Sequence, residues 1–306
     1  MFKLSFDEST NKDLLVKGSL EELFNSTDRS KFVEYPNVFK EVKVDQYYHR
    51  NMRLAGLPHG GEVQDGVNIP TYDPVYGGTK EHTQKRFGSG FTYTTMMKKF
   101  EQYDVIAQLT RHLKVTQYEM KDIEVAKLIN APRATTYGSG FDGFALLYAS
   151  HPCLDESTTT YSNYATADLS RSSLLDAYVY FDTIVDDQAQ MNPGKPNKLI
   201  VPPQLRFTAQ ELLGSSNIPY EQSNTKNVLP DWDLSTFIYH RMTDNDAWFL
   251  ADTNHDKYGL KVWTSQEPDI VVQDSPNTAR NTYVTSEQMF TYGFDDPRYF
   301  YGSVPA

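Results

Sequence analysis

Asp252-Thr-Asn-His-Asp256 is the stretch whose residue types come nearest to a metal-binding pattern. A calcium loop begins with side-chain oxygens at alternate positions, but it also needs Gly at its sixth position and a bidentate Glu at its twelfth. Those positions are Lys257 and Trp263. A solvated turn between strands is therefore expected. His151-Pro-Cys153 puts an imidazole near the chain's single thiol. A Cys nucleophile needs a base within hydrogen-bond reach and a third group to orient that base. Pro152 disturbs the alternation that would turn both side chains to one face, so a structural loop is expected here too. The acid pairs Asp186-Asp187 and Asp295-Asp296 fall at the end of a predicted helix and in a predicted turn. Nothing singles out a catalytic pair among the 40 acids. The histidines form no HExxH motif, and Gly138-Ser-Gly140 lacks the third Gly and following helix of a dinucleotide loop. There is no P-loop and no GxSxG elbow. No catalytic, cofactor-binding or metal-ligating residue is assigned, and no cofactor is expected.

Composition narrows the classes further. The net charge of -11 disfavours nonspecific binding to nucleic-acid phosphates, which needs clustered Lys and Arg. A single cysteine excludes an intrachain disulfide and a Cys-based zinc cage. The first twenty residues carry acids where a signal peptide needs an unbroken apolar core. No apolar run approaches the ~18–20 residues of a membrane span. A soluble chain is expected, and its 306 residues are enough to bury a sizeable core in one large domain or two ordinary ones.

With the search for chemistry empty, the elements themselves become the informative feature. Thr94 to Asn130 reads as one long helix. Met96, Phe100, Tyr103, Ala107, Leu113, Met120 and Ile123 recur at steps near three and four, Thr94 or Thr95 can cap the start, and Pro132 marks the stop. At ~1.5 Å per residue it would span roughly 55 Å, which suits a spine that other segments cross. Directly before it, Met52 to Gly90 holds eight Gly and three Pro, too many turn signals for a helix. Val67–Tyr72 and Lys85–Tyr93 are expected as short strands of an extended hairpin. Upstream, Asn11–Ser26 suits a short helix and Phe32–Tyr48 an extended arm. Downstream, a turn cluster at Tyr137–Gly143 leads into Phe144–Ala149, expected as a buried strand. A helix is expected from Ser170 to Gln190, a strand at Lys198–Val201 and a short helix from Gln204 to Leu213. Further strands are expected at Thr236–His240, Trp248–Ala251, Leu260–Trp263, Ile270–Gln273, Asn281–Phe294 and Tyr299–Tyr301.

The run Asp142-Gly-Phe-Ala-Leu-Leu-Tyr-Ala-Ser-His-Pro152, followed by Thr160-Tyr-Ser-Asn163, resembles the major head subunit of bacteriophage Mu and its relatives. The likeness continues in order through Leu199-Ile-Val-Pro-Pro203, Asp246-Ala-Trp248-Phe-Leu250, Gly259-Leu260, Trp263, Gly293, Asp296-Pro297 and Gly302. It covers about Tyr137 to Gly302; upstream only the architecture matches. Those proteins are similar to the major capsid proteins of tailed phages, built on the Hong Kong 97 phage fold.

The resemblance implies an α+β capsid fold in four parts. These are an N-terminal arm (1–50), an extended E-loop (51–92), a P-domain with the spine helix (93–136 and 265–292) and an A-domain (137–264 and 293–306). It implies a structural protein, not an enzyme, that self-assembles into pentamers and hexamers of an icosahedral shell enclosing double-stranded DNA in the virion, after assembly in the host cytoplasm. The expected partners are other copies of the chain, a separate scaffolding protein (the arm being short), a portal and decoration proteins. No membrane partner and no sequence-specific DNA contact are expected. Some family members crosslink a loop Lys to a neighbour's Asn. Lys80 and Lys85 lie in the loop, but no partner Asn or promoting Glu is assignable and no crosslink is expected. The alternatives are a soluble hydrolase with dispersed site residues and a cellular nanocompartment shell of the same fold.

Overall fold

The computed structural model describes residues 12–27, 33–57, 59–100, 104–154, 159–215, 226–274 and 281–305. In chain order the elements begin with helix α1 (Lys12–Ser26), strands β1 (Lys40–Lys43), β2 (Tyr48–Leu54), β3 (Tyr76–Thr83) and β4 (Lys85–Thr94), and helices α2 (Thr95–Phe100) and α3 (Val105–Asn130). The two-residue strands β5 (His151–Pro152), β6 (Thr160–Tyr161) and β7 (Tyr164–Ala165) precede α4 (Arg171–Asp182), β8 (Lys198–Val201) and α5 (Arg206–Gly214). The chain closes with β9 (Ser235–Ile238), β10 (Trp248–Ala251), β11 (Leu260–Asp274), β12 (Asn281–Phe294) and β13 (Phe300–Ser303).

Two sheets carry the body. One is long and runs β1-β11-β12-β4, with β1 parallel to β11 and the rest antiparallel. The other runs β7-β13-β10-β8-β9. Its centre is buried on both faces: Trp248, Phe249, Leu250 and Ala251 of β10 and Leu199, Ile200 and Val201 of β8 are all fully enclosed. That is why these strands read as continuous apolar runs rather than alternations. The expected strands Leu260–Trp263 and Ile270–Gln273 are two ends of the single strand β11, whose register shifts between Thr264 and Asp269 as its exposure increases.

The spine is shorter than expected and not continuous. Thr94 Oγ1 does accept a hydrogen bond from Met97 N, capping α2 (3.2 Å). Asp104, however, has φ 51° and ψ 34°, the left-handed conformation, so the helical run is broken before α3. Asp tolerates that region better than most residues, and no α-helix continues through it. The 26 residues of α3 extend about 39 Å. Met96 and Phe100, placed on the apolar face of the single helix, are instead exposed on α2; Tyr103 lies outside the described residues.

Other expectations are corrected in the same way. Val67–Tyr72 forms no strand; the partner of β3 is β2, and β4 belongs to the long sheet. Phe144–Ala149 is no strand either, although Ala145, Leu146 and Leu147 are buried. A side chain stands in for a ladder partner there. Asn163 Nδ2 donates to Leu146 O (2.8 Å) and Phe300 O (3.0 Å), and its Oδ1 accepts from Tyr148 N (3.1 Å). Helix α4 opens on a Ser170–Ser173 capping box, with Ser170 rather than Asp168 as the cap, but it ends at Asp182, eight residues early. The chain then turns back through a bridge between Val185 and Met191.

The arm is strapped across α3. Tyr35, Val38 and Phe39 enter the main core. Asp122 Oδ1 of α3 accepts from the backbone N–H of Tyr35 (2.8 Å) and of Glu34 (3.1 Å). Lys121, fully buried, donates to Glu41 Oε1 and Thr264 Oγ1, both at 2.8 Å. Further out, α1 seats Leu20 and Phe24 on a second, smaller core with Tyr93, Ile106, Leu113, Ile270 and Val284.

Candidate functional site

The residues weighed for chemistry have structural partners. Asp252 spends both carboxylate oxygens on backbone amides, Lys195 N (2.8 Å) and His255 N (3.2 Å), and the His255 ring stacks on Tyr299 with centroids 3.6 Å apart. The stretch is a turn, as expected. Among the described residues no group of three or more His, Cys, Asp or Glu is placed to hold a metal ion. His151 is committed through Nδ1 to Asp142 Oδ2 at 2.6 Å and stacks on Tyr161; Cys153 is buried, with Arg298 Nη2 3.8 Å from its sulfur. A cleft of about 290 Å³ lies between β6 and the end of α4, lined by Thr159, Thr160, Tyr161, Ser162, Tyr180, Thr183, Ile184 and Val185. It contains no acid or His, which is not the lining a hydrolase with perturbed carboxylates requires. No helix among the described residues is long and apolar enough to cross a membrane.

What the chain does present is a ribbon. β2 and β3 pair antiparallel, His49 opposite His82 and Asn51 opposite Lys80, and they form a sheet of only two strands. Alternation gives the ribbon two unlike faces. Tyr48, Arg50, Met52 and Leu54 point outward and are exposed, with Tyr76, Thr79, Glu81 and Thr83 of β3 beside them. His49, Asn51, Arg53, Lys80 and His82 point inward. The tip between the strands adds exposed Leu57, Val67, Ile69 and Tyr72.

The inner face is fastened to the body by polar groups. His82 Nε2 donates to Asp295 Oδ1 (3.0 Å), while Asn51 Nδ2 (2.6 Å) and Lys261 Nζ (3.2 Å) donate to Asp295 Oδ2. The His82 ring stacks on Trp263 with centroids 4.0 Å apart. Arg53 forks onto Asp187, which also takes Arg298 Nη2 at 2.5 Å. Arg298 Nη1 reaches Asp296 Oδ2 at 2.8 Å, and Lys80 Nζ donates to Ser139 Oγ at 2.5 Å. Burial works against charge on Asp295, but the His82 hydrogen bond and the Lys261 ammonium outweigh it and hold the carboxyl below its ordinary range. Burial likewise opposes ionisation of Asp187, and the two guanidiniums of Arg53 and Arg298 more than offset it.

The two acid pairs noted in the sequence are thus both at the ribbon's root, three of their four carboxylates holding arginine or histidine there. Asp186 instead accepts from the turn amides of Gln188 and Gln190. Neither Asp186 nor Asp187 is in a helix, because α4 has already ended. Of the ribbon's inward residues, only Lys80 is noted from the sequence, as a loop lysine. The signal was present in Tyr48-His-Arg-Asn-Met-Arg-Leu54, where His49, Asn51 and Arg53 alternate with Tyr48, Met52 and Leu54 and only Arg50 departs from the pattern.

The body of two sheets holds a two-stranded ribbon whose outer face is exposed, a surface suited to association. The profile of the phage capsid protein family matches residues 78–303, and the chain belongs to that family. Among solved structures, the procapsid of bacteriophage JBD30 aligns with a TM-score of 0.55 over 98% of this chain and 77% of that one, at 13% identity. The capsid of cyanophage P-SCSP1u aligns at 0.59 over 90% and 88%, at 10% identity. A virus-like particle from Pyrococcus furiosus aligns at 0.54 over 94% and 98%, also at 10% identity. At these identities the likeness establishes the fold, which is the Hong Kong 97-like capsid fold. No curated protein matches the sequence. The chain is a structural major capsid protein, not an enzyme; its copies self-associate, and its place is the virion shell.

Proposed function

We propose that the shell is icosahedral, that it is built from pentamers and hexamers of this chain and encloses double-stranded DNA, and that the β2–β3 ribbon lies over a neighbouring subunit. The observation that supports this reading is the ribbon's outer face. Tyr48, Met52, Leu54 and Tyr76 are 46%, 55%, 50% and 57% exposed, on a two-stranded element that alone is marginally stable at best in water. Covering that row against a neighbour would contribute ~25 cal/mol per Å² of apolar surface, offset by the cost of ordering the tip.

The four-part division expected from the resemblance is carried into this proposal with its boundaries adjusted. The E-loop is taken as the β2–β3 ribbon and its tip, and β4 goes with the long sheet in the P-domain. The likeness to Mu-type head subunits and the roles of a separate scaffolding protein, a portal and decoration proteins belong to the same proposal. A nanocompartment shell shares the fold, and the phage capsid family match is what favours the phage reading over it.

Electron microscopy of the purified chain, across salt concentrations and with or without co-expressed phage partners, tests the proposal. Net charge of -11 makes subunits repel, so shells are expected to form more readily as salt screens them. A chain that stays monomeric under every condition overturns the proposal. Particles with a cargo protein bound to the inner wall in place of DNA favour the nanocompartment.

A further inference from the structure

The ribbon's attachment has an unusual composition for something that must be held in place. No residue of β2 or β3 belongs to either hydrophobic core. Of their side chains only His82 is buried, and the inward row is His49, Asn51, Arg53, Lys80 and His82. Apolar attachments lose their driving force when opened to water. A polar attachment loses much less, because water takes over both halves of each hydrogen bond.

The seat is also shaped for one ring. His82 lies between Trp263 of β11 and Gly293 of β12, residues on the two central strands of the long sheet. A Cβ at position 293 would stand 3.0 Å from His82 Cε1 and 3.1 Å from Nδ1. Glycine is therefore what leaves the slot open. Asp295, two residues along the same strand end, closes the slot by accepting from His82 on one oxygen and from Asn51 on the other.

We propose that His82 is the pin of a latch: its ring in the Trp263–Gly293 slot, with Asp295 bridging it to Asn51, fixes the ribbon's angle to the body, and the ribbon pivots as a unit when the pin leaves. The latch sets where the outer face points before a neighbour is met. It is a property of the single subunit, so it stands or falls separately from the shell geometry proposed above.

Hydrogen exchange on dissociated full-length subunits tests this. Asp295→Asn preserves shape, and Gly293→Ala crowds the His82 ring without removing any hydrogen-bonding group. Both should raise exchange about tenfold or more at the amides of Tyr48–Leu54 and Tyr76–Thr83, while β8, β10 and β13 keep wild-type protection. Asn51→Ala, at a half-buried position, should act in the same direction more weakly, which keeps the test available if either other variant fails to fold. Unchanged ribbon exchange in the folded variants overturns the latch. So does a rise spread evenly over ribbon and core, which would mean that these residues only support global stability.

Discussion

Asp122 offers the sharpest test of how the arm is held. Its carboxylate sits fully buried on α3, with Oδ1 accepting from the amides of Tyr35 and Glu34 and Oδ2 from Arg241 Nε at 3.1 Å. Burial pushes its pKa up, and the hydrogen bonds from Tyr35, Arg241 and Glu34 recover only part of that. Two substitutions separate the contributions. Asp122→Ala leaves both amides without an acceptor. Tyr35 is fully enclosed and Glu34 is half-buried, so at ~1–3 kcal/mol per orphaned group, with Glu34 at the low end, the loss should be about 2–4 kcal/mol.

Asp122→Asn keeps an oxygen for the two amides and gives up the charge. It loses the ion pair with Arg241, whose side chain is a third exposed, and it also removes the cost of a buried anion. The net should be within about 1 kcal/mol. Urea unfolding of dissociated subunits, followed by tryptophan fluorescence, should show a lowered midpoint at unchanged slope for Ala and little change for Asn. Equal losses for the two variants would refute the reasoning, because they would make the charge, rather than the capping of the strap, the source of stability.

Proline at Leu113 should break α3 near its middle, where Leu113 faces the smaller core, at ~3 kcal/mol or more; electron microscopy should then find no shells, and normal shells would remove the helix from its role as a beam. Acid should weaken the ribbon root. Asp142, Asp187 and Asp295 all titrate below the ordinary carboxylate range, so each adds stability that is full above the unfolded value of ~3.9 and is lost as pH falls below it. Thermal unfolding should show Tm constant from pH 7 to about 5 and falling steeply below 4. An Asp295→Asn variant should lose less over that acid range than the parent.

The body was largely legible because its signals are local. β8, β10 and β12 fall where continuous apolar runs or long alternations place them, and Pro132 and the Ser170 cap mark real helix ends. Two of the failures share a cause: each depended on a partner elsewhere in the chain. Val67–Tyr72 carries strand-forming residues, yet the strand that pairs with β3 is the more polar Tyr48–Leu54, chosen because its inward row meets Asp187 and Asp295 more than a hundred residues away. Leu146 and Leu147 are as buried as any strand, but Asn163 supplies the hydrogen bonds that a ladder would have given. The break at Asp104 has no Gly or Pro to announce it.

Function follows the same division. A catalytic site concentrates its residues and tends to leave a motif, whereas a subunit's working surface is spread along a face. On the proposed reading the working surface of this chain is the ribbon's alternation, and its two halves have opposite requirements. The outward row must be apolar enough to stick to a neighbour and exposed enough to reach one. The inward row must hold the ribbon without merging it into the core, since a ribbon buried in its own subunit could not cover another. Arg53, His82 and Asn51 on acids of the body meet the second requirement, and Tyr48, Met52 and Leu54 meet the first. A one-residue slip of β2 against β3 would turn Tyr48, Met52 and Leu54 toward Asp187 and Asp295 and carry Arg53 and Asn51 away from those acids. On the proposed reading, the register that pairs His49 with His82 is what turns the apolar row toward a neighbour.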